Sequence, residues 1–214
     1  YSYEFLFNNS LNNKSKIKIP TSCNKPLITY TGSFGRINGV VYLVEIANAM
    51  SKINSEISFL LTGNGYQKKD IINRSKEYGI YNNTLFCIDY LPKNQIPELL
   101  SIATITTSLF IDIPEMGNNS ANKFFDALAA GKPIMINYGG WQADLLQKTG
   151  CGFRIPSNDA ENAALKLNRI INNRTKLKEM SKASNNLAKE FTVETNYQKF
   201  EQVVDNVISP KIEE

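Results

Sequence analysis

The chain has 214 residues, 42% of them hydrophobic and none of them histidine, with a net charge of +4. That composition suits one good-sized α/β domain; the scattered Lys and Arg favour small anionic ligands over a nucleic-acid groove, and acid–base or metal chemistry would fall to carboxylates, Lys, Tyr or Cys. Cys23, Cys87 and Cys151 are odd in number and far apart, no run approaches the roughly 18 apolar residues of a membrane span, and the start lacks a signal-peptide layout, so a soluble protein with reduced thiols is expected.

Residues 1–26, rich in Asn, Ser and Lys, read as a linker with one edge strand, and the opening on Tyr1 suggests a fragment whose upstream part is missing. Leu27–Thr31 is β-prone and breaks at Gly32; Gly39 then opens an amphipathic helix from Val40 to about Met50. A second strand, Ile57–Thr62, ends at Gly63-Asn64-Gly65 before a polar helix over about 68–78. A third, Thr84–Ile88, runs into Asp89-Tyr90-Leu91-Pro92 and a short helix starting near Gln95. Ala103–Leu109 is the fourth strand, and a long loop then leads to Ser120. Ser120 is the expected N-cap of a helix carrying Phe124, Ala127 and Leu128 on one stripe and stopped by Gly131 and Pro133. Ile134–Asn137 is a fifth strand, Gly139-Gly140 turns into a helix over about 141–148, and Gly152–Ile155 is a sixth strand. Three helices follow, over about 159–172, 174–190 and 195–207, the last packing away from the sheet, and 209–214 is a tail.

Strands alternating with helices imply right-handed crossovers, hence a Rossmann-like parallel six-stranded sheet with helices on both faces and a helical C-terminal segment over residues 27–208. Ligands of such sheets bind at the carboxyl edge of the strands, where the loops 32–39, 63–67, 89–93 and 114–120 emerge.

Lys123 stands in the first turn of the central helix, where a cation opposes the dipole unless an anion also binds. Asp126, three residues on, shares its face and could accept from ligand hydroxyls; an intrahelical pair on a solvated face is the plainer alternative. The segment NNSANKFFDALAAGKP resembles the donor-binding segment of the family 4 glycosyltransferases, whose two Rossmann-like domains face across a cleft in the GT-B architecture. That family carries Glu, seven residues, Glu and then Ala-x-Ala-x-Gly-x-Pro. Here Asp126, Ala127, Ala129, Gly131 and Pro133 match the second half, while Asn118 replaces the first Glu and Glu115 is out of register. The Asn-Lys before the helix is similar to amino-sugar transferases of bacterial surface-polysaccharide pathways. The resemblance implies that Asp126 holds the ribose and that the amides from Ser120 through Ala121, Asn122 and Lys123 hold the diphosphate.

Thr31-Gly-Ser-Phe-Gly-Arg-Ile-Asn-Gly39 is a glycine-spaced loop whose amides can approach a phosphate. It resembles the family's first donor loop, with Ser33 and Asn38 where Arg and Lys would stand. Gly32, Gly35 and Arg36 remain, and Arg36 is the candidate to neutralise a leaving diphosphate. Asn64 lies in a Gly-x-Gly turn similar to one bordering that diphosphate, a plain turn being the alternative, and Lys68 stands where a dinucleotide fingerprint would have its third glycine. Tyr90 and Leu91 match the segment that recognises the base, Tyr90 as a stacking ring or else as buried packing. Tyr138 and Trp141 are either a pocket wall or core.

The resemblance therefore implies a retaining hexosyltransferase-type donor domain for a nucleotide sugar, most simply a UDP-sugar, with Arg36 and Lys123 as the catalytic cations. It implies no metal or other cofactor, since Asp-x-Asp spacing is absent. The acceptor would be a saccharide or a lipid-linked saccharide, and acceptor groups would belong to a missing N-terminal domain without which the fragment is inactive. Localisation would be cytoplasmic, with peripheral contact at the inner face of the membrane in the full-length protein. The alternatives are a sugar-nucleotide 2-epimerase of the same architecture, whose members lean on histidine, and a non-catalytic nucleotide-binding module.

Overall fold

A computed structural model describes residues 25–208. The expected linker, apart from Lys25 and Pro26, lies outside the described residues together with its edge strand and Cys23, as does the tail 209–214. Six strands form one sheet in the order β3-β2-β1-β4-β5-β6. They are β1 (Leu27–Thr31), β2 (Ser58–Thr62), β3 (Leu85–Ile88), β4 (Ile105–Ser108), β5 (Ile134–Ile136) and β6 (Gly152–Arg154). Every neighbouring pair is parallel. The expected fold class is the one observed, and each strand lies within or coincides with its expected range.

The helices are α1 (Val40–Ile53), α2 (Lys68–Glu77), α3 (Ile96–Ile102), α4 (Asn122–Ala129), α5 (Trp141–Thr149), α6 (Ala160–Ile171), α7 (Arg174–Ala188) and α8 (Val193–Ile208). Because both faces of a parallel sheet are covered, successive strand residues enter different cores. Ile28, Tyr30, Phe59, Leu61 and Met135 pack with α1 and α6 residues such as Leu43, Ile46 and Leu167. On the opposite face Ile134 and Ile136 pack against Phe124 and Leu128 of α4 and Leu187 of α7, while Leu27 and Leu60 meet Leu99 of α3. Alpha8 buries no side chain, in keeping with a helix that packs away from the sheet. No helix among the described residues is long and apolar enough to cross a membrane.

This strand order reverses direction between β1 and β4, the switch point at which open α/β sheets hold ligands outside the strand ends. The chain leaves β1 and β4 side by side there, and the two exit loops touch: the Ile111 amide donates to the Ile37 carbonyl at 3.0 Å.

Candidate functional site

Two exit loops interlock at the carboxyl edge of β1 and β2. Gly32 donates to the Thr62 carbonyl at 3.0 Å, Phe34 to Asn64 at 2.9 Å, and Gln67 back to Phe34 at 3.0 Å. The approach is so close that a Cβ at Gly63, where φ is +157°, would lie 1.8 Å from the Gly32 carbonyl oxygen. Tyr30 closes the same knot from below, its hydroxyl donating to the Ser33 carbonyl at 2.7 Å, and Asn38 donates through Nδ2 to that carbonyl at 2.9 Å. Asn38 thus shapes the loop from within, in the place where the resemblance would put a cation. Asn64, exposed, folds back on its own loop, its Oδ1 accepting the Gly65 amide at 2.8 Å.

Alpha4 enters this edge by an extended Ala121, φ −72° and ψ 119°, with no side-chain cap. The expectation that Ser120 caps the helix is therefore corrected: Ser120 is exposed one residue too early. The physical reason is core packing. Ala121 is buried beside Phe110 and Phe124, and Trp141 donates its indole N–H to the Asn119 carbonyl at 3.1 Å, so the chain is pinned on both sides of the serine. The helix ends as expected, with Gly131 and Lys132 donating to the carbonyls of Leu128 and Ala127 at 2.9 and 3.0 Å.

The first turn of α4 holds no acidic residue, so its positive end is uncompensated. Into that end comes Lys123, half-buried rather than on a solvated face. Its ammonium sits 5.3 Å from the centre of the Tyr30 ring and 5.9 Å from that of Phe110, both within cation–π range. A Cβ placed on Gly32 would lie 3.7 Å from its Nζ. The β1 exit loop and the start of α4 therefore share one cleft. Burial lowers the Lys123 pKa below its ordinary value, and the negative charge of Asp126 partly offsets this. Asp126 itself is half-buried beside it. Burial pushes the Tyr30 phenol up, so that ring is a neutral wall.

Arg36 occupies a different wall. It is exposed in a 3₁₀ turn, Arg36–Asn38, and its guanidinium lies 4.1 Å over the centre of the Tyr66 ring from the β2 exit loop. Gly35 precedes that turn in extended backbone. Tyr90 is 60% exposed beyond β3, which removes the buried-packing alternative, whereas Leu91 packs against the small core of Leu27, Leu60, Phe86 and Leu99. Asp89 between strand and loop pairs with Lys68, which ties the third exit loop to the first turn of α2. Asn118 is exposed at the end of the 3₁₀ turn Pro114–Asn118, and Ser120 and Asn122 face a separate cavity of about 940 Å³ on the flank of α4, with Phe125, Trp141 and Phe191. Tyr138 is core: its hydroxyl bonds Ser108 at 2.9 Å and Gln142 at 2.7 Å, and burial raises its pKa to about 12.

Sequence reasoning missed Tyr30, Tyr66 and Phe110 as the rings that hold the two cations, and it missed Asn137. Buried at the end of β5, Asn137 accepts the Phe110 amide at 2.9 Å through Oδ1 and donates Nδ2 to the Phe110 carbonyl at 2.7 Å. Among the described residues no cluster of three or more His, Cys, Asp or Glu side chains could hold a metal ion.

Several solved structures share the fold. A variant of S. aureus TarM, in complex with Fondaparinux, alpha-GlcNAc-glycerol and UDP, superposes with a TM-score of 0.70 at 17% identity, covering 89% of this chain and 37% of that one. Anabaena HepE in complex with UDP gives 0.69 at 17%, covering 85% and 49%. The sucrose-phosphate synthase of Thermosynechococcus elongatus gives 0.70 at 19%, covering 95% and 48%. The chain thus spans half or less of the length of these neighbours. No curated protein matches it. Residues 12–187, well over half of the chain, match the family described as glycosyl transferases group 1, and the protein belongs to that family.

Proposed function

We propose that this domain binds the donor of a family 4, GT-B glycosyltransferase, a nucleotide sugar of the UDP-sugar class, and holds its diphosphate over the start of α4. One observation carries the reading: a half-buried ammonium, Lys123, is held by two aromatic rings at a helix start that has no acidic residue in its first turn. A half-buried cation beside unpaired helix amides is unfavourable alone and favourable with an anion between them. The UDP in complex with the TarM variant and with HepE supports the choice of nucleotide.

In this reading the amides of Ala121, Asn122 and Lys123 and the Lys123 ammonium take one side of the diphosphate. The Gly32–Gly35 backbone and Arg36, swung from Tyr66, take the other. Asp126 accepts from the ribose hydroxyls, and Tyr90 and Leu91 border the base. As the glycosidic bond breaks, charge grows on the β-phosphate, and fixed cations and amides stabilise it more than the ground state without any metal. Transfer would proceed with retention to a saccharide or lipid-linked acceptor of surface-polysaccharide type, held by a second domain. The chain alone would then bind donor without turning it over.

Thermal shift against UDP, GDP, uridine and UDP-sugars tests this, since a ligand at 100 times its Kd adds about 2.7 kcal/mol. Stabilisation by UDP but not by uridine is expected. Stabilisation by uridine alone, or by none of them, refutes the reading.

A further inference from the structure

We infer that the sugar carried by the donor is acidic and that Arg154 reads its carboxylate. The inference rests on the diphosphate reading above and concerns the next part of the same ligand.

A hollow of about 370 Å³ lies between the β4 and β5 exit loops and reaches the end of β6, within the roughly 300–1,000 Å³ range of small-molecule sites. Asn118, Asp112, Gly139, Gly140 and Arg154 line it, so it begins at the loop that leads into α4 and ends at the last residue of β6. Its floor is firm. Gly140, at φ +80°, lies so close under the 3₁₀ turn that a Cβ there would sit 1.9 Å from the Gly117 carbonyl oxygen. Asn137 bolts the root of one loop to the other through its two bonds to Phe110.

Arg154 stands over this floor, with an Nη 3.6 Å from where a Gly139 Cβ would be. Lys166 adds a second cation in an adjoining hollow of about 280 Å³ that Arg154 also lines, together with Asp144. Among the described residues neither Asp112 nor Asp144 forms an ion pair with the guanidinium, in contrast to pairs such as Arg74–Glu45. The planar fork of Arg154, solvent-exposed at the end of β6, is thus available over a firm floor to take a carboxylate by two parallel hydrogen bonds. Asp112 and Asn118 supply acceptors and a donor for ring hydroxyls. A neutral hexose would satisfy the latter and leave the guanidinium to solvent, whereas a hexuronate engages both.

Calorimetry on the chain with UDP, UDP-glucose and UDP-glucuronate tests the inference. UDP-glucuronate is expected to bind roughly 10- to 100-fold more tightly than UDP-glucose, the scale of a charged hydrogen-bonded contact. Arg154→Gln is expected to erase that difference while UDP affinity stays unchanged, and Arg154→Lys, which keeps the charge without the fork, to retain part of it. Equal affinity for the two sugars in the parent chain, survival of the difference in Arg154→Gln, or loss of UDP affinity in that variant overturns the inference and leaves the diphosphate site standing. Failure of UDP itself to bind overturns both.

Discussion

Lys123→Met separates a ligand-binding role from a structural one, because the two predict opposite signs. Methionine keeps the length of the side chain and removes the charge. On the ligand side the variant loses one charged contact to the diphosphate, about 1.5–3 kcal/mol, which weakens UDP binding by roughly 10- to 150-fold. On the stability side it loses cation–π contacts to Tyr30 and Phe110, about 0.5–2 kcal/mol. Against that loss stand sulfur–aromatic contacts of about 0.3–1.5 kcal/mol and relief of about 0.3–1 kcal/mol of repulsion at the helix start. Removal of a charge that burial already disfavours, as the lowered Lys123 pKa shows, acts in the same direction. The balance is near zero or stabilising. Calorimetric titration with UDP and uridine, with a thermal melt of each protein, is the assay. Expected are a large loss for UDP, little for uridine, and a melting temperature that holds or rises. A drop of more than about 4 °C, beyond the shift that 1 kcal/mol produces in a domain of this size, together with equal losses for both ligands, would make Lys123 a structural lysine.

Asp126→Ala is expected to weaken UDP binding while Asp159→Ala leaves it unchanged, since Asp159 caps α6 by accepting the Asn162 amide at 3.0 Å; equal titration curves would reduce Asp126 to a neighbour of Lys123. UDP affinity should fall with rising pH before the ordinary lysine range, around 10.4, is reached, because burial lowers the free-state Lys123 pKa and a bound diphosphate raises it, so binding takes up a proton there. Stability of the free domain has the opposite sign: between the lowered folded pKa and the unfolded one, the unfolded chain binds more protons and stability rises with pH. Calorimetry at several pH values up to about 10.4, each in two buffers of different ionisation enthalpy, measures the uptake, and zero uptake at all of them would contradict it. Gly140→Ala should destabilise by about 2–5 kcal/mol in a denaturant titration, from strain at φ +80° plus the clash with Gly117; a loss under 1 kcal/mol would mean that the two loops are not held together as described.

The alternating pattern made all six strands and their parallel pairing legible, because each short apolar run is bounded by Gly, Pro or polar residues and followed by a helical stripe. Boundaries slipped where a long-range contact decides them. The expected fifth strand included Asn137, which leaves the ladder because its amide is spent on Phe110, 27 residues away in sequence. Ser120 looked like a cap by residue type, yet the buried methyl of Ala121 and the Trp141 bond to Asn119 decide where the helix starts. Lys123 was legible as a cation in the wrong place. The rings around it were not, since Tyr30 lies in β1 and Phe110 just beyond β4, and only the β1–β4 pairing makes them neighbours. Tyr66 escaped notice for a similar reason: nothing local distinguishes a loop tyrosine that stacks on an arginine from another loop away.

The Asn137 side chain behaves as a surrogate peptide unit. Its amide group offers Phe110 one acceptor and one donor, as a strand neighbour would, so the β4–β5 ladder is carried past the point at which its backbone pairing stops at Ser108 and Ile136. The long β4 exit loop is thereby divided. Phe110 belongs mechanically to the sheet, and its ring stays beside Lys123 whether or not the residues after it move. Beyond Phe110 the chain is held by other contacts, the Ile111 amide on the Ile37 carbonyl and the 3₁₀ turn against Gly140. A ligand at Lys123 therefore meets no cost for ordering the anchored phenylalanine, where fixing one free backbone residue would cost about 1–2 kcal/mol. Affinity for the donor, set at Lys123 and its rings, is thus insulated from substitutions later in the same loop.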